Sequence, residues 1–399
     1  MTKLEQLIEE LCPNGVEYRT LNTICNVYDG THQTPQYTDS GIKFASVENI
    51  ADPYATEKYI SVSDYEKYKI KPQRNDLLMT RIGSIGVCTV IESDEPLAYY
   101  VSLALLRPDN SILNSRYLKY AIESLHCRKE LRKRTLVNAV PIKINMGDIG
   151  KITLPVPPLP VQSEIVRILD NFTELTAELT AELTARRQQY EYYNNILLSF
   201  DNAKYQTLEE LCDIVDYRGK TPRKVEKGIF LVTAKNIRKG FIDYDKSKEY
   251  ISPEDYDEVM HRGFPKIGDV LITTEAPCGN VAQIDNENVA LAQRVIKYRP
   301  KTDTLNSTFL KYVLLGKEFQ DKLERAATGG TVKGIKGSKL HQLTIPVPSI
   351  EEQERIVAIL DRFDAHCNDI STGLPAEIEA RQKQYEYYRD KLLTFKPLP

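Results

Sequence analysis

Apolar residues recur at helical spacing through a long stretch in the middle of the chain. Their positions advance alternately by four and three residues, which is the pattern of a heptad seam along one face of an α-helix. The seam consists of Ile165, Leu169, Phe172, Thr176, Leu179, Leu183, Arg186, Tyr190, Tyr193 and Leu197. Its two polar interruptions are Thr176 and Arg186. The pattern predicts about 36 helical residues, roughly 55 Å long, whose apolar face needs a partner helix.

A second seam near the carboxyl end supplies such a partner. It consists of Ile356, Leu360, Phe363, Cys367, Ile370 and Leu374, followed by Ile378, Arg381, Tyr385, Tyr388, Leu392 and Phe395. The step from Leu374 to Ile378 adds a four-residue stutter, with Gly373 and Pro375 beside it. Proline is tolerated in the first turn of a helix but not in its interior. We therefore expect the second helix to break near Gly373 and to restart at Pro375.

The two helical segments are copies of one sequence. LPVPPLPVQSEIVRILD (Leu154–Asp170) returns as IPVPSIEEQERIVAILD (Ile345–Asp361), and RRQQYEYYNNILLSF (Arg186–Phe200) returns as RQKQYEYYRDKLLTF (Arg381–Phe395). A duplication spaced by half the chain indicates two copies of one structural plan. Antiparallel pairing of the two helices would give the molecule an internal pseudo-two-fold axis.

The globular segments in front of the helices are duplicated too. Gly41–Ile50 aligns with Gly228–Ile237, and Asn75–Ile91 aligns with Gly268–Ile284. Short apolar runs bounded by Gly and Pro predict strands, and stretches such as Ser115–Ser124 have a helical period. The expected fold class is α+β, with two mixed α/β domains separated by two long antiparallel helices that form a coiled coil. We expect the first domain at 1–155, the first spacer helix at 156–200, the second domain at 201–347 and the second spacer helix at 348–399. The strand order inside each domain does not follow from the sequence.

A short repeat lies inside the first helix. The segment TAELTAELTA (Thr176–Ala185) repeats every four residues. One unit more or fewer would change the helix length by about 6 Å, so the repeat could set the distance between two domains. Alternatively, Ala, Glu and Leu are present simply because they favour helix.

Composition is that of a soluble globular protein. The chain has 399 residues, of which 41% are hydrophobic and 27% charged, so disorder is not indicated. No apolar run approaches the roughly 20 residues of a membrane span, and the start does not resemble a signal peptide. Seven cysteines without a C-x-x-C pair favour a reducing cytoplasm. The helical segments 159–200 and 350–399 are acidic (3 basic against 6 acidic residues, and 7 against 10), so the net charge of −3 leaves room for a basic face elsewhere.

Catalytic motifs are missing. A cofactor loop of the form G-x-G-x-x-G after a strand is absent, and ADPYA (Ala51–Ala55) lacks the second proline of the segment that holds a flipped adenine in methyltransferases. The glycine- and lysine-rich segment Thr328–Lys339 does not match a Walker A motif. Neither a metal-ligand cluster nor a nucleophile elbow can be read. We expect a non-catalytic chain.

Four of these features resemble one protein family. The likeness is to specificity subunits of type I restriction-modification systems. It is carried by the TAEL repeat, by the repeated blocks Leu154–Asp170 and Ile345–Asp361 (here called the PVP blocks), by the tail GLPAEIEARQKQYEYYRDKLLTF (Gly373–Phe395) and by the opening ELCPNGVEY (Glu10–Tyr18). The resemblance covers essentially the whole chain. It implies a DNA-recognition subunit in which each of two target recognition domains binds one half-site of an interrupted, asymmetric sequence.

The resemblance also implies partners and cofactors. The helices would dock two modification subunits that methylate adenine at N6 with S-adenosylmethionine, and restriction subunits that use ATP and Mg²⁺ would join that complex. No cofactor is expected in this chain itself. The helical copies are more alike than the globular ones, which suits two copies of one partner and two different ligands of one class. The partner-binding helix residues are expected to be Leu179, Leu183, Tyr190, Tyr193, Tyr385 and Tyr388.

Three types of loop recur in both halves and are the expected DNA contacts, because they offer paired donors and acceptors among basic residues. The first type lies before the second strand, the second after the central strand, and the third before each PVP block. In the first half the candidates are His32, Gln33, Thr34, Arg81, Ser84, Asn138 and Lys143. In the second half they are Arg218, Lys220, Thr221, Arg223, Thr274, Thr331, Lys333 and Lys336.

Other interpretations remain open at this point. The first type of loop could be a plain polar turn, and the glycines of the second could serve only a tight turn. The basic run 128–134 could lie along a phosphate backbone or form a solvated helix face. A competing function is a protein-binding scaffold with two globular heads on paired helices. A stand-alone nuclease or methyltransferase conflicts with the missing motifs.

Overall fold

The structure is a computed structural model that describes residues 2–33, 35–200, 203–217, 222–329, 333–368 and 373–398, with the backbone alone for 366–368. It contains two compact units. The first combines residues 1–180 with 377–399, and the second consists of residues 181–376. Each unit therefore holds one globular segment together with parts of both long helical segments.

The first globular segment alternates short strands with short helices and leads into one long helix. Its elements are α1 (Lys3–Leu11), β1 (Tyr18–Thr20), β2 (Cys25–Asp29), β3 (Tyr37–Thr38), β4 (Ile42–Ala45), β5 (Tyr59–Ile60), α2 (Val62–Tyr65), β6 (Leu77–Thr80), β7 (Cys88–Val90), β8 (Leu97–Tyr99), β9 (Leu103–Pro108), α3 (Ser115–Glu123), α4 (Leu125–Arg134), α5 (Met146–Ile149), β10 (Thr153–Pro155) and α6 (Leu159–Leu197).

The second globular segment repeats this order and ends in two helices. Its elements are β11 (Lys204–Thr207), α7 (Leu208–Leu211), β12 (Cys212–Asp216), β13 (Lys224–Val225), β14 (Ile229–Val232), β15 (Tyr250–Ile251), α8 (Tyr256–Val259), β16 (Val270–Thr274), β17 (Cys278–Gln283), β18 (Val289–Leu291), β19 (Val295–Pro300), α9 (Ser307–Leu315), α10 (Lys317–Ala326), α11 (Gly337–His341), β20 (Thr344–Val347), α12 (Ile350–Asn368) and α13 (Leu374–Leu392).

The sheet topology is the same in both units. One four-stranded antiparallel sheet has the order β2-β9-β6-β7 in the first unit and β12-β19-β16-β17 in the second. A smaller sheet has the order β3-β5-β4-β8 or β13-β15-β14-β18, with one parallel pair, β4 with β8 or β14 with β18. A two-stranded ladder, β1 with β10 or β11 with β20, completes each unit. The duplication read from the sequence is thus a duplication of fold.

The central strand of each unit is apolar along its whole length because both of its faces are covered. Successive side chains of a strand point to opposite faces. In β6, Leu77 and Met79 belong to one hydrophobic cluster and Leu78 to another. In β16, Val270 and Ile272 share one cluster, whereas Leu271 belongs to a second. Burial on two sides explains why these strands lack the polar alternation of a half-exposed sheet.

The long helical segments pair through matched aromatic residues. In the first unit Phe172 stacks on Tyr388 with ring centroids 5.4 Å apart, and in the second Phe363 stacks on Tyr193 at 5.6 Å. As the contact advances along α6, its partner position moves backward along the second copy, which is the order of an antiparallel pair. The predicted antiparallel helices are thereby confirmed. Helix α6 is continuous, and α13 begins at Leu374, close to the predicted restart.

A buried glutamine fixes the start of each long helix to its globular segment. Gln162 accepts a hydrogen bond from the Asn114 amide at 2.8 Å and donates to the carbonyl oxygens of Ile112 (2.8 Å) and Pro157 (2.7 Å). Gln353 has the same three contacts, with the Asn306 amide and with the carbonyl oxygens of Thr304 and Pro348. Both side-chain polar atoms of each buried glutamine are therefore paired, and burial would penalise them if they were not.

The expected fold class is confirmed: two copies of a mixed helix-and-sheet domain are combined with long helical segments. The predicted boundaries 1–155, 156–200, 201–347 and 348–399 follow the sequence repeat. The compact units instead divide α6 after Thr180 and include parts of both helical copies. The four-segment division therefore remains a prediction about the chain.

Candidate nucleic-acid interface

Arg81 joins three loops of the first unit. It follows β6 directly, and its side chain is buried. Nη1 donates hydrogen bonds to Asp29 Oδ1 at 2.7 Å and to the Val101 carbonyl oxygen at 2.9 Å, and Nε donates to the Ile144 carbonyl oxygen at 3.4 Å. Asp29 ends β2, and Ile144 lies at the end of the loop after α4. The guanidinium therefore connects three loops that are far apart in sequence.

The first of these loops begins at Asp29 and carries two of the predicted contact residues. His32 is exposed, and its Nε2 lies 2.9 Å from Asp29 Oδ2. Gln33 is exposed as well, while its backbone amide donates to Thr31 Oγ1 at 3.3 Å. Thr34 lies outside the described residues. The loop thus presents His32 and Gln33 to solvent from a backbone that is held in place.

Backbone pairing connects the loop after β6, which carries Arg81 itself, to the loop that ends at Ile144. The Gly83 amide donates to the Ile142 carbonyl oxygen at 2.9 Å, and the Ile144 amide donates to the Arg81 carbonyl oxygen at 3.0 Å. The predicted residues Ser84, Asn138 and Lys143 are exposed on these loops. Because Arg81 is buried and its Nε and Nη1 groups are engaged, these groups hold the loops together and are not presented at the surface.

Thr274 of the second unit matches Arg81 in position but not in chemistry. It is buried, its amide donates to the Arg294 carbonyl oxygen at 2.9 Å, and its carbonyl oxygen accepts from the Ile335 amide at 2.9 Å. The neighbouring Glu275 forms an ion pair of 2.6 Å with Arg294. Backbone contacts again join the loop after the central strand to the loop before the PVP block. Here too the residue at the junction is a structural one.

Four of the second-unit candidates, Arg218, Lys220, Thr221 and Thr331, lie outside the described residues. Of the other four, Thr274 is buried, and Arg223, Lys333 and Lys336 are exposed. Arg223 lies just before β13, and Lys336 caps α11 through its backbone position, without a hydrogen bond from its side chain. Lys333 forms an ion pair of 2.5 Å with Glu324, and this hydrogen bond lowers the pKa of the Glu324 carboxyl.

The structure agrees with the alignment of Asn75–Ile91 with Gly268–Ile284. Thr80 Oγ1 accepts from the Val87 amide at 3.1 Å, and Thr273 Oγ1 accepts from the Asn280 amide at 3.0 Å, so these two threonines have matching contacts. The same register places Arg81 opposite Thr274.

Helix α4 adds a basic face to the first unit. Arg128, Lys129 and Arg132 are exposed and form no ion pair within the part of the chain that the structure describes. Glu130, the acidic residue of this helix, is bound by Lys133 (3.0 Å) and Arg134 (2.6 Å), whose hydrogen bonds lower its pKa. In the matching helix α10, ion pairs of 2.7 Å each bind Lys317 and Lys322, while Arg325 is exposed. Among the described residues, α4 thus carries three exposed cations without an ion pair, against one in α10.

The predicted partner-binding tyrosines mostly face the protein itself. Tyr385 is buried and contacts Tyr120, and burial raises its pKa to about 12. Tyr388 and Tyr193 form the two matched stacks described above, Tyr190 contacts Phe363 in the second unit, and Leu179 and Leu183 are partly exposed.

Two further helix tyrosines are exposed, and sequence reasoning assigned them to helix-helix and partner packing together with the seam tyrosines, without separating the two groups. Tyr192 (62% exposed) and Tyr387 (61%) occupy the same place in the two copies of the YEYY segment. Their position between the seam tyrosines was the available signal, because a residue adjacent to a heptad seam points away from the partner helix. The same position of the YEYY segment thus exposes a large side chain to solvent in both copies.

A comparison with protein families decides the relationship. Residues 13–186 and 201–380 each match the type I restriction modification DNA specificity domain. The chain belongs to this family. The resemblance of the helical motifs is thereby confirmed, and the domain is present twice.

Curated relatives agree with this family. The chain is 40% identical over 274 residues to the EcoR124I/EcoR124II type I restriction enzyme specificity subunit of Escherichia coli, covering 61% of this chain and 63% of that subunit. It is 33% identical over 301 residues to a putative type I restriction enzyme specificity subunit of Haemophilus influenzae, covering 71% of this chain and 73% of the relative. The matched part thus spans somewhat less than two thirds of the length of the Escherichia coli subunit.

Solved structures share the fold of the whole chain. A type I restriction-modification S subunit from M. genitalium superposes with a TM-score of 0.54 at 15% identity, covering 95% of this chain and 96% of that one. A chain from a study of complex assembly and conformational transition of the type I R-M system gives a TM-score of 0.58 at 16% identity, covering 96% and 98%. At these identities the likeness concerns fold alone.

The described residues contain no group of three or more His, Cys, Asp or Glu side chains placed to bind a metal ion. Burial raises the pKa of the Cys25, Cys127 and Cys212 thiols to about 12, so these thiols are protonated at neutral pH and poor nucleophiles. Among the described helices, none has both the length and the apolar character for crossing a membrane.

Proposed function

We propose that this chain is the DNA-recognition subunit of a type I restriction-modification complex and that each of its two units binds one half of an interrupted, asymmetric DNA site. The observation that carries this proposal is the repeated gathering of loops at the end of the central strand, at Arg81 in one unit and at Thr274 in the other. The backbone contacts are the same, but the side chains at the loop surfaces differ. Two units that share the backbone arrangement of these loops but differ in the exposed side chains suit the binding of two different DNA sequences.

The polar loop residues would read base edges, and the basic residues would bind phosphates. In the first unit the reading residues are His32, Gln33, Ser84 and Asn138, and Lys143 joins α4 in binding phosphates. Arg81 positions these loops. In the second unit, Arg223, Lys333 and Lys336 are exposed and supply positive charge, together with the predicted residues outside the described part of the chain. In this proposal Thr274 joins two loops through its backbone hydrogen bonds and does not contact DNA.

The chain would leave catalysis to its partners. Two modification subunits would dock on the helices, flip the target adenine out of the duplex and methylate it at N6 with S-adenosylmethionine. Restriction subunits would bring ATP, Mg²⁺ and nuclease activity. The complex would act in the cytoplasm, where the DNA is.

Mapping of methylated adenines tests the recognition role. The chain is co-expressed with its modification subunit, and methylated adenines are located genome-wide. We expect a site made of two short blocks separated by unspecified base pairs. A single continuous block would contradict the proposal. Filter binding of the complex to the mapped site at about 50 and 200 mM salt should show a steep loss of affinity, as phosphate contacts require.

The matched tyrosines provide a separate test of partner number. We expect Tyr192→Ser and Tyr387→Ser each to reduce the stoichiometry from two modification subunits to one, and the double variant to retain none. Native mass spectrometry of the purified complexes measures this directly. Phe241→Ser is a suitable control, because Phe241 is an exposed aromatic residue outside the helices. Two bound subunits in both single variants would contradict this docking surface.

A further inference from the structure

The loop between α4 and α5 displays four apolar side chains to solvent. Leu136 is 44% exposed, Val137 63%, Val140 99% and Ile142 36%. We call this group, residues 136–142, the apolar tip. Single exposed apolar residues are common on protein surfaces, but a cluster within seven residues of one loop marks a contact surface.

The backbone of the apolar tip is held by hydrogen bonds. The Leu136 amide donates to the Lys143 carbonyl oxygen at 2.7 Å, and the Ala139 amide donates to the Leu136 carbonyl oxygen at 3.2 Å. The Gly83 amide reaches the Ile142 carbonyl oxygen at 2.9 Å. These bonds fix the tip against the loop after β6. The apolar side chains are therefore exposed on a loop whose backbone is held in place by hydrogen bonds.

Positive charge surrounds the apolar tip. Residues 125–145 contain six Lys or Arg and one acidic residue. That acidic residue, Glu130, already binds Lys133 and Arg134. Arg128, Lys129, Arg132 and Lys143 form no ion pair with any other described residue. This arrangement fits a ligand surface with negative charge at its edges and apolar groups between them. The major groove of DNA is such a surface, because phosphates line its edges and thymine presents a 5-methyl group on its floor.

The second unit carries a different surface on the same frame. The bond from the Ile335 amide to the Thr274 carbonyl oxygen (2.9 Å) matches the bond from the Ile144 amide to the Arg81 carbonyl oxygen (3.0 Å). Between Ala326 and Gly337, the described residues expose no large hydrophobic side chain, and Lys333 and Lys336 are exposed instead. Since the backbone contacts are kept, the apolar tip is not needed for the fold of the loop.

We propose that the apolar tip reads thymine 5-methyl groups in the major groove of the half-site that the first unit binds. Val137 and Val140, the most exposed members, make the contacts, and the cations of α4 hold the flanking phosphates. This inference rests on the proposed function and adds to it the base that the first unit selects and the chemistry of selection. Among the described residues, the matching loop of the second unit exposes no large apolar side chain, so we expect no methyl readout from them.

Replacement of thymine by deoxyuridine tests the readout, because it removes the methyl group and keeps base pairing. The complex of the chain with its modification subunit is bound to the mapped site with thymines replaced in one half-site at a time. We expect one half-site to lose about fourfold in affinity per contacted methyl group, the equivalent of one buried carbon group. The other half-site should show less than a twofold change.

Val140→Thr identifies the protein side of the contact. The substitution keeps the β-branched shape and changes a methyl group to a hydroxyl at a fully exposed position, so folding is unaffected. We expect it to lower the preference for thymine over deoxyuridine in the sensitive half-site by about fourfold, the share of one methyl contact, while the contact of Val137 remains. Val62→Thr, also at an exposed valine (58%) of the first unit, is the matched control and should retain the full preference.

Three results would overturn the inference: a first half-site without thymine, equal binding of thymine and deoxyuridine DNA in both half-sites, or a Val140→Thr variant that weakens both DNAs equally. The last result would indicate a wedge or a protein contact in place of methyl readout. Failure of the proposed function has another signature, since a bipartite methylated site would then not be found at all.

Discussion

Replacing Arg81 by methionine should separate the positioning of the DNA-binding loops from general stability. Methionine keeps the length of the side chain but removes every donor. The substitution breaks three hydrogen bonds, one to the Asp29 carboxylate and two to the carbonyl oxygens of Val101 and Ile144. A hydrogen bond to a charged group contributes about 1.5–3 kcal/mol, and buried carbonyl groups that lose their partner add to the cost. We expect the first unit to lose about 2–4 kcal/mol in its free energy of unfolding, measured by urea denaturation.

The functional readout is discrimination between base pairs. The complex is titrated with the mapped site and with sites that carry one substituted base pair in either half, at a temperature where all variants are folded. A wrong base pair costs a protein about 1–3 kcal/mol in binding. Since the loops around Arg81 would lose their common anchor, Arg81→Met should reduce discrimination in the first half-site about tenfold. Discrimination in the second half-site should stay as it is.

Arg107→Met is the matched control in the same unit. Arg107 also donates three hydrogen bonds, two to the Asp76 carboxylate at 2.9 and 2.7 Å and one to the Lys71 carbonyl oxygen at 2.9 Å. The Arg107→Met variant should destabilise the first unit at least as much as Arg81→Met but leave discrimination between base pairs intact. Loss of discrimination in both variants, or in neither, would refute the assignment of Arg81 as the residue that positions the loops.

Three further predictions concern the glutamine anchors, an ion pair and the spacer. Gln162→Leu and Gln353→Leu should each lower the free energy of unfolding of their own unit by about 2–3 kcal/mol in urea denaturation, because each leaves three buried polar groups unpaired; clearly unequal losses would contradict the equivalence of the two anchors. Hydrogen bonds from Arg167, and then Lys3, lower the pKa of Glu164 to about 2 from an ordinary value of 4.5. The wild type should therefore be more stable than Glu164→Gln by roughly 1 kcal/mol, a small value because both cations are exposed. This difference in the free energy of unfolding should be fully present above pH 4.5 and decline as the pH falls towards 2. A difference that stays constant in urea denaturation across this range would show that the assignment is wrong. Insertion of one TAEL unit after Leu183 should lengthen the preferred gap between half-sites by about one to two base pairs, from about 6 Å of added helix, and adenine mapping that shows an unchanged gap would rule out a spacer role.

Much of the architecture was predictable because it is written in local patterns and in self-similarity. The heptad steps predicted α6, the proline beside Gly373 predicted where α13 begins, and the repeated blocks predicted two copies of one domain. The strand order was not predictable. Neighbouring strands such as β2 and β9 are separated by more than seventy residues, and no local pattern specifies which strands pair.

The candidate site was predicted as three loop types, and most of the described candidates are exposed, while their contact with DNA stays a prediction. The roles inside the site were not predictable. Arg81 and Thr274 have polar side chains that suit DNA, yet both are buried. In the apolar tip, Asn138 was predicted as a DNA contact, but the four apolar side chains were not, because they carry no donor or acceptor. Tyr192 and Tyr387 were not distinguished from the seam tyrosines as contact candidates. Exposure depends on which residues from other parts of the chain cover a side chain.

By itself, the sequence determined the family, the twofold repeat and the long helices, since these follow from spacing and similarity along the chain. Only the tertiary structure decided that three distant loops meet at one guanidinium and that each unit is built with parts of both helical copies. The partners of Arg81 lie 52 and 63 residues away from it. Hydrogen bonding and burial act between groups that are close in space, and that closeness exists only once the chain has folded.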